Sequence, residues 1–235
     1  MLHFDIVREA KPAKSFRVAS VIGTFDLQTD QVKEHFVGDI EVEPDGDWQI
    51  GLIVGNSGTG KTTIAKELFP DAYITNYKYE GETILDDMPE GRTVEEITNA
   101  FSSVGFSSTP SWLKPYAVLS NGEKMRVDIA RALLEPNPLV VFDEFTSVVD
   151  RNIAKISSFA VQKAIRRSDK KFIAVGCHFD VEDWLLPDWV FDTNSMTFRK
   201  CEGSKKKDQA VSLESTKSQD AIIASIGTCL KDTII

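Results

Sequence analysis

Cysteine is scarce: three in 235 residues, an odd number, which is too few for a disulfide framework. Cys177, Cys201 and Cys229 show no C-x-x-C spacing, so the common zinc pattern is missing as well. No apolar run approaches the ~18 residues of a membrane-spanning helix. The opening segment, MLHFDIVREAKPAK, lacks the basic-then-apolar order of a secretory signal. Positive charge is in deficit. There are 27 Lys and Arg against 36 Asp and Glu, a net charge of −9, which argues against unspecific attraction to DNA or anionic membrane while leaving room for a local basic patch. The Lys205-Lys206-Lys207 run sits among polar residues and reads as a solvated segment. These absences predict a cytoplasmic protein in a reducing compartment.

What is present is enough apolar residue, 42%, to fill the core of one α/β domain. Residues 16–24 are rich in β-branched side chains and predict a strand; 36–43 alternate and predict a half-exposed antiparallel strand. Pro44-Asp45-Gly46-Asp47 predicts a turn. Ile50 to Val54 is an apolar strand, and a helix is expected from Lys61 to just before Pro70. Thr93 and Glu96 form a capping box for a helix to about Val104, and residues 107–116 predict a loop. A second box, Ser120 to Glu123, opens a helix with Met125, Ile129, Ala132 and Leu133 on one face. Leu139–Phe142 and Phe172–Gly176 read as buried strands around a helix at 151–167. A hairpin closes the pattern at 189–193 and 196–200. The expected domain is 1–202. Residues 203–235 lose all period and predict a polar, flexible tail, with a short helix conceivable at 221–227.

Gly55-Asn56-Ser57-Gly58-Thr59-Gly60-Lys61-Thr62 fits G-x-x-x-x-G-K-[ST] directly after a predicted strand. Backbone N–H groups must converge on phosphates there, and glycine permits the turn. The following helix aims its positive end at the same anion. Lys61 can reach the β- and γ-phosphates, and the Thr62 hydroxyl can ligate Mg²⁺. Thr63 completes the nucleotide-binding set, though a plain helix residue is the competing reading.

Residues 139–144, LVVFDE, deliver two adjacent acids at the C-terminal end of an apolar strand, where ligands of open α/β sheets bind. Asp143 is the candidate Mg²⁺ partner and Glu144 the candidate general base for the attacking water. As strand neighbours they are expected to point oppositely.

Leu119-Ser120-Asn121-Gly122-Glu123 followed by KMRVDIARALL resembles the LSGGQ signature and helix of ABC ATPases, with Asn121 and Glu123 as variants. The resemblance implies that Ser120 and Gly122 present a hydroxyl and N–H groups to a γ-phosphate held by a partner subunit. Ser147-Val148-Val149-Asp150 resembles the D-loop, and His178, after the strand at 172–176, resembles the switch histidine. Phe25 is the candidate adenine-stacking aromatic or, equally, a core residue. The similarity covers about residues 16–200 and implies an α/β P-loop NTPase. Its central sheet would be mostly parallel, with an antiparallel N-terminal β layer and a reduced helical subdomain. It further implies ATP and Mg²⁺ as cofactors and a head-to-tail homodimer around two nucleotides.

The chain departs from the family where a Q-loop glutamine belongs: none occurs between Thr63 and Leu119. Asp86 or Asp87 could substitute, or could form an acidic turn before Pro89. The segment between phosphate loop and signature is also short. Both features argue against transport and do not show what replaces it; the resemblance, through DNA-repair members of the superfamily, implies a protein or nucleic-acid effector. The rival readings are the ATP-binding subunit of a membrane transporter, a nucleotide-gated module without turnover, and a P-loop kinase.

Overall fold

The computed structural model describes residues 1–9, 15–27, 33–43, 45–74 and 77–201. The expected tail, with its lysine run and the possible helix at 221–227, lies outside them. Met1–Lys200 form one compact unit. Among the described residues no helix is long and apolar enough to cross a membrane.

The main sheet has five strands: β3 (Ile50–Val54), β4 (Leu139–Phe142), β5 (Lys171–Gly176), β6 (Trp189–Asp192) and β7 (Thr197–Lys200). Their order is β4-β5-β3-β6-β7, parallel except for the antiparallel β6–β7 hairpin. All five residues of β3 are buried, as a central strand covered on both faces requires. Backbone bonds from Tyr73 and its neighbours extend the sheet beyond β4. β5 lies between β3 and β4. The strand ahead of His178 therefore separates the phosphate-loop strand from the acid-bearing strand, and all three deliver their C-terminal ends to one edge.

The antiparallel layer is real, but its strands are β1 (Leu2–Glu9) and β2 (Lys33–Ile40), paired from Leu2–Ile40 to Glu9–Lys33. The strand expected at 16–24 is instead helix α1 (Phe16–Phe25). Ser15 caps it by accepting from the Val18 N–H at 3.3 Å. Val18, Val21, Ile22 and Phe25 stand at helical i, i+3, i+4, i+7 spacing, and that period outweighs the β preference of branched side chains. In β1 the inward set is Leu2, Phe4 and Ile6, with Phe4 fully buried. Phe4 meets Phe191 of β6 edge to face at 5.8 Å, and Trp48 meets Trp189 at 5.5 Å. Each such ring contributes about 1.5–3 kcal/mol by leaving water. The layer is thereby fastened to the sheet beneath the phosphate loop.

The helices are α2 (Lys61–Leu68), α3 (Val94–Ser103), α4 (Thr109–Trp112), α5 (Asn121–Leu134), α6 (Arg151–Arg166) and α7 (Val181–Leu185). Both capping boxes form as expected, Thr93–Glu96 on α3 and Ser120–Glu123 on α5. The expected loop at 107–116 contains the single turn of α4 and runs into a 3-10 turn at Tyr116–Val118. α7 had no sequence signal beyond its length of five residues. Arg166 closes α6 onto Asp188, with N–O distances of 2.7 and 3.0 Å, and Asp188 also accepts the Gln49 and Ile50 N–H groups. That half-buried cluster ties α6 to the start of β3 and β6.

Candidate nucleotide site

β3 ends in the glycine loop, and α2 starts at Lys61. Gly60, the residue before the helix, has φ +86° and supplies no side-chain cap, so the first-turn N–H groups of α2 are left for another acceptor. A Cβ at Gly60 would stand 2.7 Å from the Phe36 ring of β2. Glycine is needed there both for its backbone and for the close approach of the antiparallel layer. The Lys61 ammonium folds back onto its own loop and donates to the Asn56 carbonyl at 2.7 Å. Ser57 and Gly58 form the exposed tip.

Two residues that the sequence motif did not single out brace this loop. Asn194, in the β6–β7 turn, accepts the Asn56 N–H at 2.9 Å, and the Thr193 and Thr59 hydroxyls share a hydrogen bond of 2.5 Å. Gly55 lies buried beneath them. Thr63 is turned to β1, where its hydroxyl accepts from Arg8 at 3.1 Å.

The Thr62 hydroxyl donates to Asp143 Oδ2 at 2.7 Å, which brings the loop and the strand acids together. The Tyr73 hydroxyl donates to the same oxygen, and the Glu144 N–H donates to Oδ1 at 2.8 Å. Burial first, then the bond to Asp143, push the Tyr73 phenol up. Thr62 and Asp143 are hard oxygen donors of the kind Mg²⁺ takes alongside waters and phosphate oxygens. Among the described residues there is no cluster of three or more His, Cys, Asp or Glu to hold a metal without such help. The residues present therefore fit Mg²⁺ arriving with a nucleotide.

The two acids are not strand neighbours. β4 stops at Phe142, and Glu144 and Thr146 follow with φ +52° and +64°. It is this turn, not strand alternation, that separates Asp143 from Glu144. Left-handed conformations at two non-glycine residues, one of them β-branched, cost on the order of 1–3 kcal/mol each. Glu144 is exposed at the rim of a 540 Å³ cavity lined also by Asp143, Tyr73, Tyr77, Lys124 and Asp128. The Phe145 N–H donates to the Val175 carbonyl at 2.8 Å, and Ser147 touches Cys177 at 3.9 Å, so His178 emerges at the same edge.

Ser120 is exposed, and its hydroxyl and N–H both donate to the Glu123 carboxylate, at 2.8 and 2.9 Å. Gly122 is buried; a Cβ there would come within 3.3 Å of Val149 and Ile153, so the signature turn lies against the 147–150 loop and α6. Behind it, the Tyr79 and Tyr116 hydroxyls donate to the two oxygens of Asp128, at 2.6 and 2.8 Å, and their rings stack at 3.8 Å. Burial raises the Asp128 carboxyl, and burial leads in pushing the Tyr77 phenol up to about 12. Phe25 closes α1 with 69% of its surface exposed, which removes the core reading. Asp87 accepts the Glu80 and Gly81 N–H groups at 2.9 Å and Asp86 accepts from the Thr83 hydroxyl at 2.7 Å. Both acids thus brace a local turn.

A family model described as "ABC transporter" matches residues 68–147. The chain is 30% identical to the mRNA export factor elf1 of Schizosaccharomyces pombe over 131 residues, 46% of this chain and 12% of that protein. It is 26% identical to the ATP-dependent lipid A-core flippase of Chromobacterium violaceum over 180 residues, 58% of this chain and 30% of the flippase. The chain thus spans less than a third of the length of either relative. A dimeric ATP-binding cassette solved in a post-hydrolysis state with ADP and Pi shares the fold, with TM-score 0.56, 14% identity, and coverage of 72% of this chain and 93% of that one. Over residues 68–147, which hold the capped signature helix and the strand acids, the chain is similar to the ABC-type ATPases.

Proposed function

We propose that this protein binds Mg²⁺-ATP and hydrolyses it in a head-to-tail homodimer, as a non-transport ATPase. The observation that carries the reading is the bond between Thr62 and Asp143, which joins the phosphate loop to the strand acids. Lys61 exchanges the Asn56 carbonyl for β- and γ-phosphate oxygens, a stronger, charge-assisted contact. Free N–H groups at the start of α2 hold the same phosphates. Thr62 and Asp143 would hold Mg²⁺, and the chemistry it would supply there is neutralisation of charge on the transferring phosphoryl group. Glu144 accepts the proton of the attacking water, and its exposed position leaves room for that water and for a second molecule. His178 bonds the γ-phosphate from the neighbouring strand end. Ser120 and Gly122 of the second subunit close the other side, and Phe25 is the candidate stacking partner of the base.

A clamp that closes on ATP and opens on ADP takes its bias from contacts only the γ-phosphate makes. The effector is a protein or nucleic acid, and the domain responsible is 1–202. The missing glutamine and short middle segment support a non-transport role. The likeness to the flippase supports the transporter-subunit alternative; stable co-purification with a multi-span membrane protein would establish that alternative instead.

The test is Glu144→Gln. Loss of the base should abolish hydrolysis while ATP binding persists, leaving an ATP-dependent dimer visible by size-exclusion chromatography with light scattering. Hydrolysis at the wild-type rate in this variant would remove Glu144 from the mechanism.

A further inference from the structure

Tyr73 belongs to no motif in the sequence, yet the sheet places it with care. The Ile74 N–H donates to the Val141 carbonyl at 2.9 Å, and the Val141 N–H donates to the Ala72 carbonyl at 2.8 Å. Asp143 follows Val141 by two residues, so the phenol lies alongside its carboxylate. The hydroxyl donates to Oδ2, the oxygen that also accepts from Thr62. Lys66, one turn after Thr62 on α2, stands 5.0 Å over the ring. Tyr73 therefore touches both elements that carry the metal donors.

We infer that Tyr73 is a positioning residue for the metal carboxylate, its hydroxyl orienting Asp143 toward the waters of a nucleotide-bound Mg²⁺. The inference rests on the Mg²⁺-ATP reading of the site. With Thr62 as a metal ligand, Asp143 would lose one of the two hydroxyl donors that fix Oδ2. The Tyr73 hydroxyl is the one that remains. It does not depend on the nucleotide, because the ring is held by the β4 ladder and by Lys66. Partners that orient a metal-binding group in this way are typically worth 10–100-fold in metal affinity.

The experiment uses the full chain, a non-hydrolysable ATP analogue and Mn²⁺ as a spectroscopic probe, titrated by electron paramagnetic resonance. Tyr73→Phe keeps the ring and removes only the hydroxyl. The expected result is a roughly tenfold loss of Mn²⁺ affinity in the ternary complex. Affinity for the analogue in EDTA and the melting temperature should stay near wild type. Unchanged Mn²⁺ affinity overturns the inference. Tighter binding also overturns it, by making the hydroxyl a competitor of the metal's waters. A collapse of metal-free nucleotide binding and of the melt together would make Tyr73 a structural residue and equally overturn it. If wild-type protein shows no analogue-dependent Mn²⁺ binding, the Mg²⁺-nucleotide reading itself fails, an outcome separate from a null effect of the substitution.

Discussion

Glu123 occupies the position where a partner's γ-phosphate is proposed to bind: both Ser120 donors, hydroxyl and N–H, are spent on its carboxylate. The perturbation is Glu123→Gln. An amide oxygen can still accept the Ser120 N–H, so the capping box survives in neutral form. Replacing a charged acceptor near a helix N-terminus by a neutral one costs about 0.5 kcal/mol. Against that, a carboxylate about 4 Å from a phosphate charge is repelled by about 4 kcal/mol per unit pair at an effective dielectric near 20. Salt and rotation of the side chain into water discount this heavily, to about 1.4 kcal/mol, which is tenfold in an equilibrium constant. The variant should therefore be slightly less stable as a monomer and dimerise roughly tenfold more tightly with ATP. Sedimentation velocity, with both proteins carrying Glu144→Gln to block turnover, gives the comparison. Equal or weaker association of the Glu123→Gln protein would refute the claim that the carboxylate competes for the anion site. The stability arm has its own pH signature. The Ser120 N–H leads in holding the Glu123 carboxyl below the usual carboxylate range, against burial and with the Ser120 hydroxyl assisting. A depressed folded-state pKa stabilises above the unfolded value, about 4.3, and that gain disappears as pH falls through the folded value. The difference in melting temperature between wild type and Glu123→Gln should accordingly close in acid.

Lys61→Ala removes the charge-assisted phosphate contact and should weaken ATP binding by about 1.5–3 kcal/mol, measured by isothermal titration; unchanged affinity would count against the phosphate-loop assignment. Arg166→Met removes the two guanidinium hydrogen bonds to the half-buried Asp188 carboxylate at the junction of α6, β3 and β6. It should cost about 1.5–3 kcal/mol in urea unfolding, and a loss under about 1 kcal/mol would show that the remaining contacts of Asp188 suffice to hold it.

The sequence alone determined the pieces whose physics is local. The glycine loop, the two capping boxes and the apolar strands at 50–54, 139–142 and 172–176 each follow from neighbouring residues, and each forms where expected. The helix at 16–25 was equally local, but its helical period was hidden behind β-branched composition. β1 was missed because its alternating Leu2, Phe4 and Ile6 acquire meaning only when the sheet's core, with Phe191 against Phe4, packs on them. Only the tertiary structure decided that β5 separates β3 from β4, because strand order is set by packing across the whole sheet. It alone brought Tyr73 to Asp143 and Asn194 to the phosphate loop, contacts spanning 70 and 138 residues of chain. It also turned Glu123 back onto Ser120, although the box itself was legible. The pattern of residues names the donors and acceptors; which acceptor a donor has taken depends on distances that folding creates.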